Sequence, residues 1–195
     1  MALIKSISGI RGTIGGKPGE ALTPVDVVKF ASAFGTWVQR RHVKKSAKVV
    51  IGRDARKSGP MVNNLVINSL RSLGIGVTDL GLATTPTVEV AVTGTKADAG
   101  IIITASHNPA QWNALKLLNE RGEFLSAADG AEVLRIAESE DFEYASLDET
   151  GRVDYDDSWG ARHIEQIIGL PLVDREAIAK AGFTVAIDCI NSVGG

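Results

Sequence analysis

Short apolar runs alternate along this chain with longer segments in which apolar residues recur at helical spacing. The runs at residues 48–51 and 101–103 are rich in valine and isoleucine, which is typical of strands buried on both faces of a sheet. The longer segments begin at residues that cap helices well: Thr23, Ser58, Thr84 and Ser126. This alternation predicts an α/β layered domain with a mixed, mostly parallel sheet between helices.

Outside these segments the pattern predicts two irregular regions and two more strands. Residues 3–10 predict a first strand, which runs into a glycine-rich loop over residues 9–19. Residues 140–157 are dominated by Asp, Glu, Ser and Gly, and we interpret them as a surface loop or linker. Further on, residues 183–188, with the sequence F-T-V-A-I-D, predict another buried strand.

The strand at residues 183–188 affects the expected domain organisation. A buried parallel strand needs a crossover connection and a neighbour. We therefore expect the chain to be the N-terminal piece of a longer protein, in which a second α/β domain has just begun. The expected division is a first domain over residues 1–155, followed by linker helices and the first strand of the second domain over residues 156–195.

Composition and charge restrict the classes of partner. A charged fraction of 23% and a net charge of −2 are ordinary for a soluble globular protein, and they indicate neither a nucleic acid nor a membrane surface as partner. The single cysteine, Cys189, excludes an internal disulfide and fits a reducing compartment. No run approaches the roughly 20 apolar residues of a membrane span. We expect a cytoplasmic protein, and the sequence leaves its oligomeric state open.

The segment at residues 100–116, G-I-I-I-T-A-S-H-N-P-A-Q-W-N-A-L-K, is the best candidate for a functional site. Its apolar run ends abruptly before Pro109, which cannot donate to a sheet and forces the chain out of it. The carboxyl ends of buried strands are where α/β proteins bind ligands. The hydroxyl of Ser106, the imidazole of His107 and the ammonium group of Lys116 are all expected near that edge.

From the residues alone this loop has more than one interpretation. A serine hydrolase would have its nucleophile in a G-x-S-x-G turn with a distant histidine, whereas Ser106 and His107 are adjacent and lack those glycines. The other histidines, His42 and His163, are predicted on helix surfaces. An ordinary β-to-α loop built from small polar turn residues is the structural alternative.

The wider pattern resembles a known family. T-A-S-H-N-P followed by W-N-A-L-K resembles the phosphoserine loop of the α-D-phosphohexomutases, which include phosphoglucomutase, phosphomannomutase and phosphoglucosamine mutase. Four further pieces agree in order: S-G-I-R-G at residues 8–12, V-I-G-R-D-A-R at 50–56, A-T-T-P-T at 83–87, and the final Asp188, Asn191, Gly194 and Gly195. The resemblance covers essentially the whole chain.

The resemblance implies an intramolecular phosphotransferase that moves phosphate between O1 and O6 of a hexose or hexosamine phosphate. Ser106 would be the phosphoserine, and a bisphosphate would be the intermediate. Arg11 and Lys116 match basic residues that line the site and bind the substrate. His107 would orient the loop or assist proton transfer, or serve a purely structural role. Mg²⁺ is implied as cofactor, bound to Ser106 through its phosphate, with its other ligands outside this chain.

Two departures from the family qualify this picture. The family commonly has Asn-Gly-x-Lys where this chain has Asn113-Ala114-Leu115-Lys116, and alanine disfavours a left-handed turn, so a different local backbone is expected. The aspartate-rich D-G-D metal motif does not occur here, so the chain is not expected to be active alone.

The overall resemblance favours a glucosamine phosphate as substrate. A non-catalytic binding domain that retains the fold is the main alternative, and a small hydrolase using Ser106 and His107 is the second.

Overall fold

The computed structural model describes residues 2–6, 9–42 and 46–194. One sheet contains seven strands: β1 (Leu3–Ser6), β2 (Gly9–Thr13), β3 (Lys48–Arg53), β4 (Gly76–Leu82), β5 (Ala99–Ile103), β6 (Trp112–Leu118) and β7 (Val153–Tyr155). The helices are α1 (Pro24–His42), α2 (Gly59–Ser72), α3 (Thr85–Thr95), α4 (Ala127–Ser139), α5 (Trp159–Ile168) and α6 (Arg175–Lys180), with a short 3-10 helix at Leu147–Glu149. Ser8, from the S-G-I-R-G motif, and the side chain of His42 lie outside the described part of the chain.

The strands are ordered β1-β2-β6-β5-β3-β4-β7 across the sheet. Strands β5, β3, β4 and β7 are parallel to one another, whereas β6 runs antiparallel to both of its neighbours, β2 and β5. Strand β6 can be antiparallel because it follows β5 through a short loop, without the crossover helix that a parallel strand requires. The predicted mixed sheet between helices is confirmed.

The sheet is buried on both faces, which explains the apolar run in β5. Ile101 and Ile103 pack into the larger hydrophobic cluster beneath α1, α2 and α4, while Ile102 points the other way into a cluster that includes Val88 and Trp159. None of the three isoleucines is more than 1% exposed. Alternate side chains of a strand face opposite sides of the sheet, so a strand covered on both sides must be apolar throughout.

The N-terminal prediction is wrong in its boundaries. Residues 3–10 do not form one strand followed by a loop, because β1 ends at Ser6 and a separate strand, β2, begins at Gly9 and pairs antiparallel to it. Gly9 belongs to β2 with φ of +140°, and a Cβ atom there would lie 2.1 Å from the carbonyl oxygen of Leu115. This glycine therefore permits close approach of two strands, a role that looks like a loop signal in the sequence. As a result, Arg11 lies on a strand.

The segment at residues 140–157, which we interpreted as a surface loop or linker, is irregular over most of its length, but it also contains the 3-10 helix and the edge strand β7, which pairs with β4. Its acidic residues are largely exposed, so its composition resembles that of a loop although its backbone completes the sheet. Gly151 anchors the segment: its amide donates to the carbonyl of Arg71 at 2.9 Å, and its carbonyl accepts from Arg71 Nε at 3.0 Å.

Replacing Gly151 by alanine is expected to lower the free energy of unfolding by about 1–3 kcal/mol. A Cβ at this position would lie 1.8 Å from the carbonyl oxygen of Ile75, which is backbone and cannot rotate away. Urea denaturation followed by circular dichroism measures the effect. Gly160→Ala in α5 is the matched control, since nothing lies within 4 Å of its added Cβ. Equal midpoints for the two variants would contradict the anchoring role of Gly151.

Residues 183–188 do not form the predicted buried strand. Phe183, Val185 and Ile187 are 73%, 72% and 78% exposed, and no strand of the described residues runs beside them. A strand is stabilised by pairing, so its apolar composition alone does not make one. The division into domains at residue 155 stays a prediction. Trp159, just beyond that point, is buried in the cluster beneath α3.

Candidate functional site

The loop at residues 104–111, which joins β5 to β6, carries Ser106 at its exposed tip. Ser106 has φ of +54°, in the left-handed region, which costs a residue other than glycine about 1–2 kcal/mol. Asn108 shapes the turn that follows, because its backbone amide and its side-chain amide both donate to the carbonyl of Ala105, at 3.0 and 2.7 Å. The serine hydroxyl is thus presented on a defined backbone at the carboxyl end of β5.

A closed ring of hydrogen bonds holds the backbone of Ser106 on both sides. The amide of Ser106 donates to Thr104 Oγ1 at 3.2 Å, and that hydroxyl donates to Asp54 Oδ2 at 2.6 Å. Arg56 Nε donates to the same carboxylate oxygen at 3.2 Å, and Arg56 Nη2 donates to the carbonyl of Ser106 at 2.8 Å. The ring links the end of β3 to the serine loop after β5, which is its neighbour in the sheet.

Two cations share a cavity with Ser106. Residues that pair directly across strands share a face, as do residues two apart on one strand. Arg11 pairs with Ala114 and Gly9 with Lys116, so Arg11 and Lys116 project from the same face of β2 and β6. Both border a cavity of about 420 Å³ that Ser106 and His107 also line. The small partners Gly9 and Ala114 leave room for the two long side chains.

Lys116 has further contacts away from the serine. Its Nζ lies 5.7 Å from the centre of the Phe124 ring, a cation–π distance. Glu89 on α3 is half-buried, and this burial raises the pKa of its carboxyl, while the positive charge of Lys116 partly offsets the increase. Lys116 is therefore a half-buried cation between an aromatic ring and a carboxylate, and it borders the cavity.

The histidines do not form a hydrolase site. His107 Nδ1 lies 3.5 Å from Ser106 Oγ, a long hydrogen bond, and among the described side chains no acidic group hydrogen-bonds to the His107 ring to orient it as a base. His163 instead hydrogen-bonds through Nδ1 to Thr87 Oγ1 at 3.0 Å, between α5 and α3. The hydrolase alternative thus has no supporting geometry among the described side chains. His107 keeps its position beside Ser106 at the cavity wall.

The donors around Ser106 suit an anion better than a metal ion. Among the residues that the structure describes, no group of three or more His, Cys, Asp and Glu is placed to hold a metal. Asp54, the carboxylate nearest in the network, already accepts from Thr104 and Arg56. A Mg²⁺ ion prefers several oxygen ligands, so these residues alone do not form its site.

Ala114, at a position where the family commonly has glycine, does not need a left-handed backbone. Ala114 lies within β6, paired with Arg11, and it is not among the described residues with positive φ. The left-handed residue of this region is Ser106. Sequence reasoning noted the V-I-G-R-D-A-R motif but gave Asp54 and Arg56 no role. The signal that could have identified them is their position directly after a predicted buried strand, because the carboxyl ends of neighbouring parallel strands meet at one edge of the sheet.

Comparisons with known proteins identify the family of the chain. The family model described as phosphoglucomutase/phosphomannomutase, alpha/beta/alpha domain I, matches residues 3–144. A phosphoglucomutase/phosphomannomutase of Thermococcus kodakarensis is 39% identical over 94% of this chain and 40% of its own length. A phosphoglucosamine/phosphogalactosamine mutase of Sulfurisphaera tokodaii is 34% identical over 100% of this chain and 40% of its own length.

A solved structure supports the same relationship. The crystal structure of a phosphoglucomutase/phosphomannomutase family protein from Burkholderia thailandensis has a TM-score of 0.72 and 26% identity, covering 85% of this chain and 35% of that one. The chain thus spans about two fifths of the length of these relatives. Within the described residues, no helix is long and apolar enough to cross a membrane. On the family match and these relatives, the chain belongs to the phosphoglucomutase/phosphomannomutase family of the α-D-phosphohexomutase superfamily.

Proposed function

We propose that this chain is the serine-bearing domain of a phosphohexomutase, which moves phosphate between O1 and O6 of a hexose or hexosamine phosphate. The observation that carries the proposal is the cavity shared by Ser106, Arg11 and Lys116. It combines a hydroxyl that can carry a phosphoryl group with two cations that can neutralise one. Phosphoryl transfer depends mainly on alignment and charge neutralisation, and this site offers both.

In the proposed cycle, Ser106 starts as a phosphoserine. The free hydroxyl of the sugar monophosphate attacks phosphorus, the bond from phosphorus to Ser106 Oγ breaks, and the hydroxyl proton passes to a base at the site. The resulting bisphosphate turns around and Ser106 Oγ attacks the phosphorus of its other phosphate. The bond from that phosphorus to the sugar oxygen breaks, the freed oxygen takes back the proton from the base, and the phosphoserine is restored. Arg11 would grip phosphate oxygens in two places, while Lys116 supplies a compact charge and His107 assists the proton transfer or orients the loop.

Several finer features belong to the same proposal. The two relatives above are named for glucose, mannose, glucosamine and galactosamine phosphates, and we propose a glucosamine phosphate as the substrate. Mg²⁺ is proposed to bind the phosphate on Ser106. The residues described here supply no other ligand set for it, so no step is derived through the ion. A cytoplasmic location is proposed as well.

The domain organisation is also a proposal. Residues 1–155 would form the first domain, and residues 156–195 would lead into a second one that supplies further metal and sugar contacts. On this basis the isolated chain would be inactive as a mutase.

Intact-mass spectrometry of the purified full-length protein tests the proposal directly. We expect a population heavier by one phosphoryl group, and peptide mapping should place that group on Ser106. Treatment with a hexose 1,6-bisphosphate should increase the modified fraction, because the bisphosphate can donate to the serine. Ser126, an exposed serine that caps α4, is the internal control and should stay unmodified. No phosphate on Ser106 under either condition would favour a non-catalytic binding domain with this fold.

A further inference from the structure

We propose that Arg56 is the positioning residue of the serine loop, and that it contributes no hydrogen bond to the substrate. It would fix the left-handed backbone from which Ser106 faces the cavity. The expected effect of Arg56 on turnover rests on the proposed function, whereas its expected effect on the conformation of the loop does not. Neither role follows from the motif alone, since an arginine three residues beyond the end of a strand could equally well bind a phosphate.

The hydrogen bonds of Arg56 decide between these two roles. A guanidinium group has five N–H donors and no acceptor. Here all five are used: Nε donates to Asp54 Oδ2 at 3.2 Å, Nη1 to the carbonyls of Pro109 at 2.9 Å and Trp112 at 3.1 Å, and Nη2 to the carbonyls of Ser106 at 2.8 Å and Asn108 at 2.7 Å. A phosphate could recruit Arg56 only by breaking bonds that hold the loop.

Burial and charge support the same conclusion. The side chains of Arg56 and Asp54 are only 12% and 16% exposed, and they form an ion pair at 3.2 Å. The two charges cancel, so the attraction for an anion at this site comes from Arg11 and Lys116. Arg56 and Asp54 together therefore carry no net charge beside the nucleophile, whereas Arg11 and Lys116 bring positive charge to the cavity.

The ring also explains how a serine is kept at positive φ. Ser106 has both its amide and its carbonyl engaged by the ring, so neither peptide group beside it can rotate without losing a hydrogen bond. Four hydrogen bonds from one planar group to backbone carbonyls hold the loop from Ser106 to Trp112. Lysine cannot reproduce this, because its ammonium group has three donors at a single point.

The test compares Arg56→Lys with Arg53→Lys in the full-length protein. Arg53 is the matched control, because it lies three residues away and a single hydrogen bond is described for its side chain, to the carbonyl of Asp54 at 3.2 Å. Arg56→Lys should lower kcat about 100-fold with little change in KM, since misplacing the nucleophile affects the reaction more than binding. Hydrogen–deuterium exchange of the peptide covering residues 104–109 should become faster. Arg53→Lys should leave both quantities near the wild-type values.

Each outcome separates the hypotheses. A raised KM with unchanged kcat would make Arg56 a substrate ligand and overturn the proposal, as would unchanged exchange of the loop peptide. If the wild-type protein shows no mutase activity but Arg56→Lys still speeds exchange, the proposed function fails and the positioning role stands.

A second pair of variants serves if Arg56→Lys unfolds the protein. Thr104→Val removes a ring member and should also speed exchange, whereas Thr104→Ser keeps the hydroxyl and should not. Equal exchange in the two Thr104 variants would overturn the ring.

Discussion

Replacing Ser106 by alanine in the full-length protein is expected to remove conversion of a hexose 1-phosphate to its 6-phosphate, lowering kcat by about 10⁴-fold or more. The proposed cycle passes every phosphoryl group through Ser106 Oγ, so no alternative path remains when that oxygen is absent. A coupled assay for the 6-phosphate measures the loss. Normal turnover in this variant would contradict the assignment of Ser106.

Two controls make the Ser106 result interpretable. The side chain is exposed at the loop tip, so Ser106→Ala should unfold at the same urea concentration as the wild type. Ser106→Thr keeps a hydroxyl but places a β-branched residue at φ of +54°, a conformation that such residues rarely adopt. We expect it to retain a small part of the activity, because the oxygen is present but misplaced.

Replacing Lys116 by methionine is expected to lower kcat by about 10²–10³-fold, the scale on which loss of one preorganised charge at a reacting group acts. Methionine keeps the length and the apolar stem and removes the charge beside the cavity. Lys116→Arg is the matched control and should recover part of the activity, since it restores the charge with different geometry. Steady-state kinetics with the sugar phosphate measures both variants, and unchanged kcat in Lys116→Met would exclude Lys116 from the site chemistry.

The same substitution has an expected effect on stability, because Lys116 lowers the pKa of Glu89 while burial raises it. A carboxyl whose pKa is raised by folding favours the folded state only at low pH, and that contribution is lost as pH rises through the folded-state pKa. Lys116→Met removes the lowering effect, so its deficit in the free energy of unfolding should be larger at pH 7 than below about pH 4.

Urea midpoints of Lys116→Met at several pH values measure this dependence. In a protein that already carries Glu89→Gln, Lys116→Met should lower the free energy of unfolding by the same amount at every pH, and turnover should stay low. A deficit that does not change with pH would contradict the coupling between Lys116 and Glu89.

The sequence predicted those features whose cause lies in one short segment. Ile101 to Ile103 are apolar because both faces of β5 are covered, and the abrupt change at Thr104 marks the strand end. The serine loop and its cations were predicted through the family resemblance, and the structure brings Ser106, Arg11 and Lys116 to one cavity. Their roles in chemistry remain proposals.

What could not be predicted depends on contacts between distant segments. In the sequence Arg56 is only one residue of the V-I-G-R-D-A-R motif. Its contacts with the serine loop depend on β3 lying beside β5 in the sheet. Residues 140–157 have the composition of a surface loop or linker because their acidic side chains face solvent, whereas the backbone pairing of β7 leaves no mark on composition. Residues 183–188 have the composition of a strand, yet no neighbour among the described residues pairs with them.

Because β6 lies between β2 and β5, the sheet can be completed only after β6 has been synthesised. Strands β1 and β2 are synthesised first, but β6, which joins them to the rest of the sheet, emerges much later. Until Lys116 has been made, the segment that carries Arg11 therefore lacks the strand with which it pairs toward the rest of the sheet. By then β3, which leads into Arg56, and β5, which leads into Ser106, have already been synthesised. During translation, every member of the ring around Ser106 is therefore synthesised before Lys116 can join Arg11 at the cavity.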